Sequence, residues 1–168
     1  MRAIEPFLES FRFTNFGVDL VTSDMTDEDA LKRARGGEGA SLSWTLGHLC
    51  FYRCRVLQAL GSDRPLEFEE YNRSAGDVAP YPKLAELKRT WDALAGELEG
   101  ALKDVTDEQL GATGGGPHPE QRLLDSLVFV TWHEACHMGY VGGLRRELGY
   151  RATSELAVEA MRRKEERA

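Results

Sequence analysis

Residues 82–103, PKLAELKRTWDALAGELEGALK, decide the fold class of this chain. Apolar side chains recur there at spacings of three and four, which places them along one face of an α-helix: Leu84, Leu87, Trp91, Leu94, Leu98 and Leu102. This is the clearest core stripe in the sequence. It predicts a long helix that buries one face against other helices.

Four further helices are predicted by apolar periodicity and by residues typical of helix ends. They run from about Pro6 to about Val21, from Ser41 or Ser43 to the residue before Gly61, from about Pro119 to Leu148, and from about Ser154 onward with Leu156, Ala160 and Met161 as its packing residues. Short capped turns begin at Thr26 and Thr106. No segment alternates like a strand, so we predict an all-α protein in which four long helices are followed by an extra C-terminal helix.

The loop between the second and third helices is long, at about 20 residues. Such a loop is either a cover over a functional site or a crossover between distant helices. A bundle with one long crossover connection fits the second possibility.

Composition limits the function. The chain has 168 residues, which fits one domain over residues 1–168, and its formal charge of -7 argues against nucleic acid or anionic membrane as a partner. We find no signal peptide and no stretch of about 18 apolar residues, so we expect a cytoplasmic protein. The cysteines Cys50, Cys54 and Cys136 cannot all pair, and we expect them to be reduced.

His133 and His137 stand four residues apart in the predicted fourth helix, so their side chains share one face. With Glu134 between them the segment matches H-E-x-x-H, in which the glutamate acts as general base beside zinc. The alternative is a pair of core histidines, but each would then need its own buried hydrogen-bond partners. We therefore expect His133 and His137 to bind one metal ion together, with Glu134 as the candidate catalytic residue.

A third ligand must come from elsewhere in the chain. The candidates are His48, His118, the three cysteines, Glu155 and Glu159. His118 lies between prolines in a glycine-rich loop, which favours a surface position, whereas His48 lies mid-helix among apolar residues. A downstream glutamate ligand is typical of proteases that bind their substrate along an edge strand, and no strand is predicted. Three histidines without a fourth protein ligand would form an open, catalytic type of site.

These residues carry a family resemblance. Residues 43–49, SWTLGHL, together with residues 133–139, HEACHMG, resemble the DinB/YfiT-like superfamily over nearly the whole chain. The resemblance implies a four-helix bundle that is often a homodimer. It also implies metal binding by one histidine of the second helix and an H-x3-H pair of the fourth, which correspond to His48, His133 and His137. The ion is expected to be divalent, zinc or nickel first, with iron or manganese as alternatives.

Three functions fit such a site. The first is a metal-dependent S-transferase or isomerase that takes a low-molecular-weight thiol as its small-molecule substrate. The second is a metal-dependent hydrolase with Glu134 as general base. The third is a metal-binding stress-response protein without catalysis. Trp44, Tyr52 and Tyr140 lie three or four residues from a ligand histidine and either line the pocket or belong to the core.

Overall fold

The computed structural model describes residues 2–75, 80–114 and 120–166. These residues form α1 (Glu5–Thr22), α2 (Asp27–Ala30), α3 (Ala34–Gly37), α4 (Leu42–Ala59), a 3-10 helix (Glu69–Asn72), α5 (Leu84–Lys103), α6 (Asp107–Gly111), α7 (Leu123–Glu147) and α8 (Thr153–Glu165). Within these ranges no strand is present, and β-type pairing is limited to an isolated bridge between Thr113 and Arg122. The all-α prediction is confirmed.

Three helix starts follow from capping side chains. Of the two serines predicted to begin the second long helix, Ser41 is the N-cap of α4, and its hydroxyl accepts a hydrogen bond from the Trp44 amide at 3.1 Å. Thr26 caps α2, and Thr106 caps α6 in a capping box with Gln109. Each cap satisfies an amide that the first helical turn leaves without a partner.

The four long helices form a bundle. Both α1 and α4 pack against α5 and α7, so α1 and α4 occupy opposite corners. The chain therefore crosses the bundle on its way from α1 to α4 and again on its way from α5 to α7. The predicted four-helix bundle with a crossover connection is confirmed.

The long loop after α4 acts as a cover. It joins α4 to its direct neighbour α5, and its 3-10 helix packs against α4. Tyr71 of this 3-10 helix is fully buried. Together α5, α7 and the cover bury most of α4, including several of its polar residues.

Two helix predictions need correction at their ends. The predicted start of the fourth helix, Pro119, lies outside the described residues, and α7 begins at Leu123, with Arg122 as its N-cap and Asp125 of the first turn as the capping partner. Met161 was predicted to pack, but it is 53% exposed because α8 lies on the outside of the bundle and buries none of its residues completely. In the described ranges, no helix combines the length and the apolar character that a membrane span requires.

Candidate metal centre

The second long helix, α4, brings one histidine into the bundle. His48 lies near the middle of α4 and is only 8% exposed, because α4 is covered on several sides. The sequence placed this imidazole among apolar residues, where an unpartnered ring nitrogen is costly. Its environment therefore has to supply partners for both ring nitrogens.

The other two histidines come from α7, which packs beside α4. His133 and His137 are one turn apart, and their ring centroids are separated by 4.5 Å. The ring centroid of His48 lies 4.9 Å from that of His133 and 5.0 Å from that of His137. Each ring therefore neighbours the other two.

The three Nε2 atoms face one another. His133 Nε2 lies 3.1 Å from His48 Nε2 and 3.0 Å from His137 Nε2. One ring nitrogen from each histidine lies within 4.8 Å of the others. Nitrogens bound tetrahedrally to zinc at about 2.0–2.1 Å are about 3.3 Å apart, so the observed spacing is close to that of a ligand set.

The cover loop determines which nitrogen of His48 is free. Nδ1 of His48 lies 2.8 Å from the backbone oxygen of Tyr71. Because a carbonyl oxygen only accepts, Nδ1 must carry the proton, and Nε2 keeps its lone pair. A carbonyl partner of this kind is typical of a metal-binding histidine, since it sets both the tautomer and the ring orientation.

Gly47 allows Tyr71 to approach this closely. A Cβ atom at Gly47 would lie only 2.5 Å from Cδ1 of Tyr71. The ring of Tyr71 therefore occupies the space that any other side chain at position 47 would need. The sequence contains no periodic signal for Tyr71, which lies in the loop that was predicted to be a cover or a crossover.

Hydrogen bonding among the three rings cannot satisfy their nitrogens. The lone pair of His48 Nε2 points at His133 Nε2, and a neutral His133 has at most one hydrogen there to offer to two neighbours. A cation between the three nitrogens would satisfy all of them at once. The donor set therefore fits a divalent metal ion.

The histidines are held in the neutral form that binds metal. Burial, and after it the proximity of His137 and His48, lowers the pKa of His133 to about 4. Burial and the proximity of His48 likewise lower the pKa of His137 to about 4, and burial lowers the pKa of His48. At neutral pH these imidazoles are uncharged and can donate lone pairs.

Aromatic side chains surround the histidines. Trp44 stacks on His48 with centroids 4.4 Å apart, and Phe129 stacks on His133 at 5.3 Å. Tyr52 contacts the rings of both histidines at 5.0 and 4.5 Å. Of the three aromatic residues that the sequence assigned either to the pocket or to the core, Trp44 and Tyr52 contact the histidine rings, whereas the hydroxyl of Tyr140 donates a hydrogen bond to the Ala40 carbonyl at 2.9 Å.

The structure does not bring Glu134 into the histidine cluster. Its two carboxylate oxygens accept hydrogen bonds from Nε and Nη2 of Arg53 at 2.6 and 2.9 Å, and both side chains are fully buried. Arg53 also donates to Asn15, and its guanidinium lies 3.6 Å from the Trp91 ring centroid. The sequence predicted Glu134 as a general base beside the metal. In the structure its carboxylate is instead paired with Arg53 in the interior of the bundle.

The described cysteine and glutamate candidates also lie outside the cluster. Cys50 and Cys54 are buried and Cys136 is exposed, and all three are free thiols. Glu155 and Glu159 of α8 form ion pairs with Arg151. The remaining candidate, His118, lies outside the described residues. Among the residues described, the group that could hold a metal ion consists of His48, His133 and His137.

The fold and the site together define a class: a helical-bundle protein whose three-histidine cluster can hold a metal ion. The sequence model of the DinB superfamily matches residues 18–141, a range that contains all three histidines. The chain belongs to the DinB superfamily. No curated protein matches the chain in sequence.

Solved structures share the fold at low sequence identity. A DinB-like protein from Bacillus cereus superposes with a TM-score of 0.71 at 19% identity, covering 88% of this chain and 94% of that one. A conserved protein from Enterococcus faecalis gives 0.67 at 16% identity, with coverages of 87% and 96%. YfiT from Bacillus subtilis, described as a probable metal-dependent hydrolase with an unusual four-helix bundle topology, gives 0.64 at 17% identity, with coverages of 88% and 89%.

Proposed function

We propose that the protein is a metal-dependent enzyme that holds one divalent cation with His48, His133 and His137 and acts on a small-molecule substrate. The observation that carries the proposal is the convergence of the three Nε2 atoms, with the His48 tautomer set by the Tyr71 carbonyl. Zinc and nickel are the first candidates, since imidazole ligands suit both, and iron and manganese are the alternatives. Three protein ligands leave a coordination position for the substrate.

For the reaction we propose transfer of the whole thiolate group of a low-molecular-weight thiol to an electrophile: the S–H proton goes to solvent, a bond forms between the sulfur and the electrophile, and the electrophile releases its leaving group. A divalent cation supplies a position at which a substrate thiol loses its proton at neutral pH. A thiol has a pKa of about 8.5, so it needs little help from a protein base. This matters because the carboxylate of Glu134 is already paired with Arg53.

The side chains around the histidines fit this role. Trp44, Tyr52 and Phe129 contact the imidazoles and exclude water from their faces. A dry aromatic wall strengthens electrostatic interactions in the site and protects a reactive thiolate from solvent. The chain's own contribution is therefore to hold three neutral imidazoles, orient them and limit the access of water.

Elemental analysis followed by turnover assays tests the proposal. The purified protein should contain about one zinc or nickel ion per chain, and the metal-loaded form should consume a thiol in the presence of an electrophile such as chlorodinitrobenzene. Chelation should abolish this consumption. Thiol consumption that is equal with and without metal would overturn the reaction.

A metal-dependent hydrolase is the second candidate. It is favoured by the shared fold of YfiT, described as a probable metal-dependent hydrolase. In this case water takes the open position, where a cation such as zinc lowers its pKa to about 7. Hydrolysis of nitrophenyl esters without thiol would favour this reaction over thiol transfer. One bound metal with turnover of neither class would identify a non-catalytic metal-binding protein.

We also propose that the protein is a homodimer that associates through α7. The exposed residues of α7 between positions 127 and 143 are all uncharged: Val128, Phe129, Trp132, Ala135, Cys136, Gly139 and Gly143. Trp132 is 62% exposed and Val128 is 53% exposed. A contiguous apolar face of this kind is typical of a protein interface, and a second copy would cover it symmetrically.

A further inference from the structure

A cavity adjoins the three-histidine site on the side of α4 and α7. Its volume is 590 Å³, within the range of small-molecule pockets. Tyr52 and Phe129 line this cavity, and their rings also contact His133 at 4.5 and 5.3 Å. The histidines are not part of the lining, so a ligand in the cavity would reach the candidate metal centre past these two rings.

One arginine without a salt-bridge partner in the described part of the chain, Arg55, lines this cavity. Arg55 follows His48 and Tyr52 at positions i+7 and i+3, so the three side chains share one stripe of α4. With a rise of 1.5 Å per residue, Arg55 lies about 10 Å along the helix from His48. Its side chain is half-buried and has no hydrogen-bond acceptor among the residues that the structure describes. A guanidinium that lines a cavity without a protein acceptor is free to bind an anionic ligand.

A second polar group in the same cavity lacks a partner. Gln121 lines the cavity, and its Oε1 atom is buried without a hydrogen-bond donor in the described parts of the chain. Glu69 also lines the cavity, but its side chain is exposed to solvent and forms no ion pair with Arg55. The cavity therefore offers a ligand the guanidinium of Arg55 and the buried Oε1 acceptor of Gln121.

We propose that this cavity binds the carboxylate end of the substrate. Arg55 binds the carboxylate through paired N–H donors, and the Oε1 atom of Gln121 accepts from an N–H or O–H group of the same molecule. The substrate class is thus a small carboxylic acid long enough to span from Arg55 to the histidine cluster, a distance on the order of 10 Å if it follows the axial separation of Arg55 and His48. The identity of the reacting end rests on the proposed function, whereas the carboxylate subsite does not.

The subsite is tested first on the metal-free protein. Octanoate and octanol are compared as probes by nuclear magnetic resonance titration, with the Nε resonance of Arg55 as the reporter. We expect octanoate to bind about tenfold more tightly than octanol, and we expect Arg55→Gln to remove the preference. Arg89→Gln is the matched control, since Arg89 is an exposed arginine of α5 outside the cavity. Equal binding of both probes, or an unchanged preference in Arg55→Gln, would overturn the subsite.

A second measurement separates the subsite from the reaction. The protein is loaded with cobalt(II), and sulfur binding is followed by the thiolate charge-transfer absorption. Mercaptooctanoic acid should bind about tenfold more tightly than mercaptooctanol or the shorter mercaptopropionic acid, and Arg55→Gln should equalise the three. If octanoate still prefers the wild type but no thiol perturbs the cobalt spectrum, the thiol reaction fails and the carboxylate subsite stands.

Discussion

Arg53 of α4 and Glu134 of α7 form a fully buried, two-point ion pair, with N–O distances of 2.6 and 2.9 Å. The two helices that it joins are those that carry the three clustered histidines. Removal of one partner from a buried pair leaves an uncompensated charge and costs about 3–5 kcal/mol. The pair thus contributes to the stability of the packing between α4 and α7.

Glu134→Gln should therefore lower stability by about 3 kcal/mol while the purified folded protein still binds metal and turns over substrate. Urea unfolding and elemental analysis measure the two effects. Glu38→Gln, a change at an exposed glutamate, should leave stability unchanged. A Glu134→Gln protein of normal stability that binds metal but has lost hydrolysis would instead establish Glu134 as the general base.

Each of His48→Ala, His133→Ala and His137→Ala should reduce the bound metal to a small fraction of one equivalent, because two imidazoles remain at an open site. Metal at 100 times its Kd should stabilise the wild type by about 2.7 kcal/mol, an effect that these variants lose. The control is His118→Ala, the fourth histidine of the sequence. Full metal retention in His48→Ala would remove that residue from the site.

Gly47→Ala should weaken metal binding by about 10- to 100-fold, because the added Cβ displaces Tyr71 and with it the carbonyl that orients His48. Competition with a chromophoric chelator measures the affinity. Gly96→Ala is the matched control, since no atom lies within 4 Å of a Cβ there. At that exposed helical position, alanine should stabilise the protein by about 0.5–1 kcal/mol. Unchanged affinity in Gly47→Ala would contradict the orienting role of Tyr71.

The ion pair between Asp24 and the buried Arg145 should make the free energy of unfolding depend on pH in the acidic range. Arg145 donates to both carboxylate oxygens of Asp24 at 2.8 and 3.0 Å, and this lowers the pKa of Asp24. The pair therefore stabilises the fold above the usual Asp pKa of about 3.9, and the contribution is lost as pH falls through the lower folded pKa.

Asp24→Asn should accordingly be less stable than the wild type at about pH 7, and the difference should shrink below about pH 4. Urea unfolding across this range tests the prediction. A stability difference that is the same at every pH would mean that the charge of Asp24 is not what stabilises the fold.

Trp132→Glu should convert a homodimer into a monomer, because a charge would enter the centre of the uncharged α7 face. Light scattering coupled to size-exclusion chromatography gives the mass directly. Phe13→Glu is the control, since Phe13 is also strongly exposed but belongs to α1. A monomeric wild type would contradict the dimer.

The sequence by itself determined the helices and the histidine pair. The spacing of apolar residues in α5 and the caps at Thr26 and Thr106 act within a few turns of chain, so their effects can be recognised without knowledge of the tertiary fold. The spacing of His133 and His137 is likewise a property of one helix. His48 was identified only with the help of its apolar surroundings and the family resemblance.

The tertiary structure decided which side chains meet across helices. Glu134 looked like a base because of its two histidine neighbours, yet its partner Arg53 is 81 residues away, on a helix that packs against α7. Glu134 and Arg53 are both charged residues within apolar helical segments. That context predicts that each side chain is buried and paired, but it does not identify the partner. Tyr71 likewise reaches His48 through the cover, a loop whose path depends on packing rather than periodicity. Buried ion pairs and the histidine tautomer depend on contacts between distant segments, and those exist only once the bundle has formed.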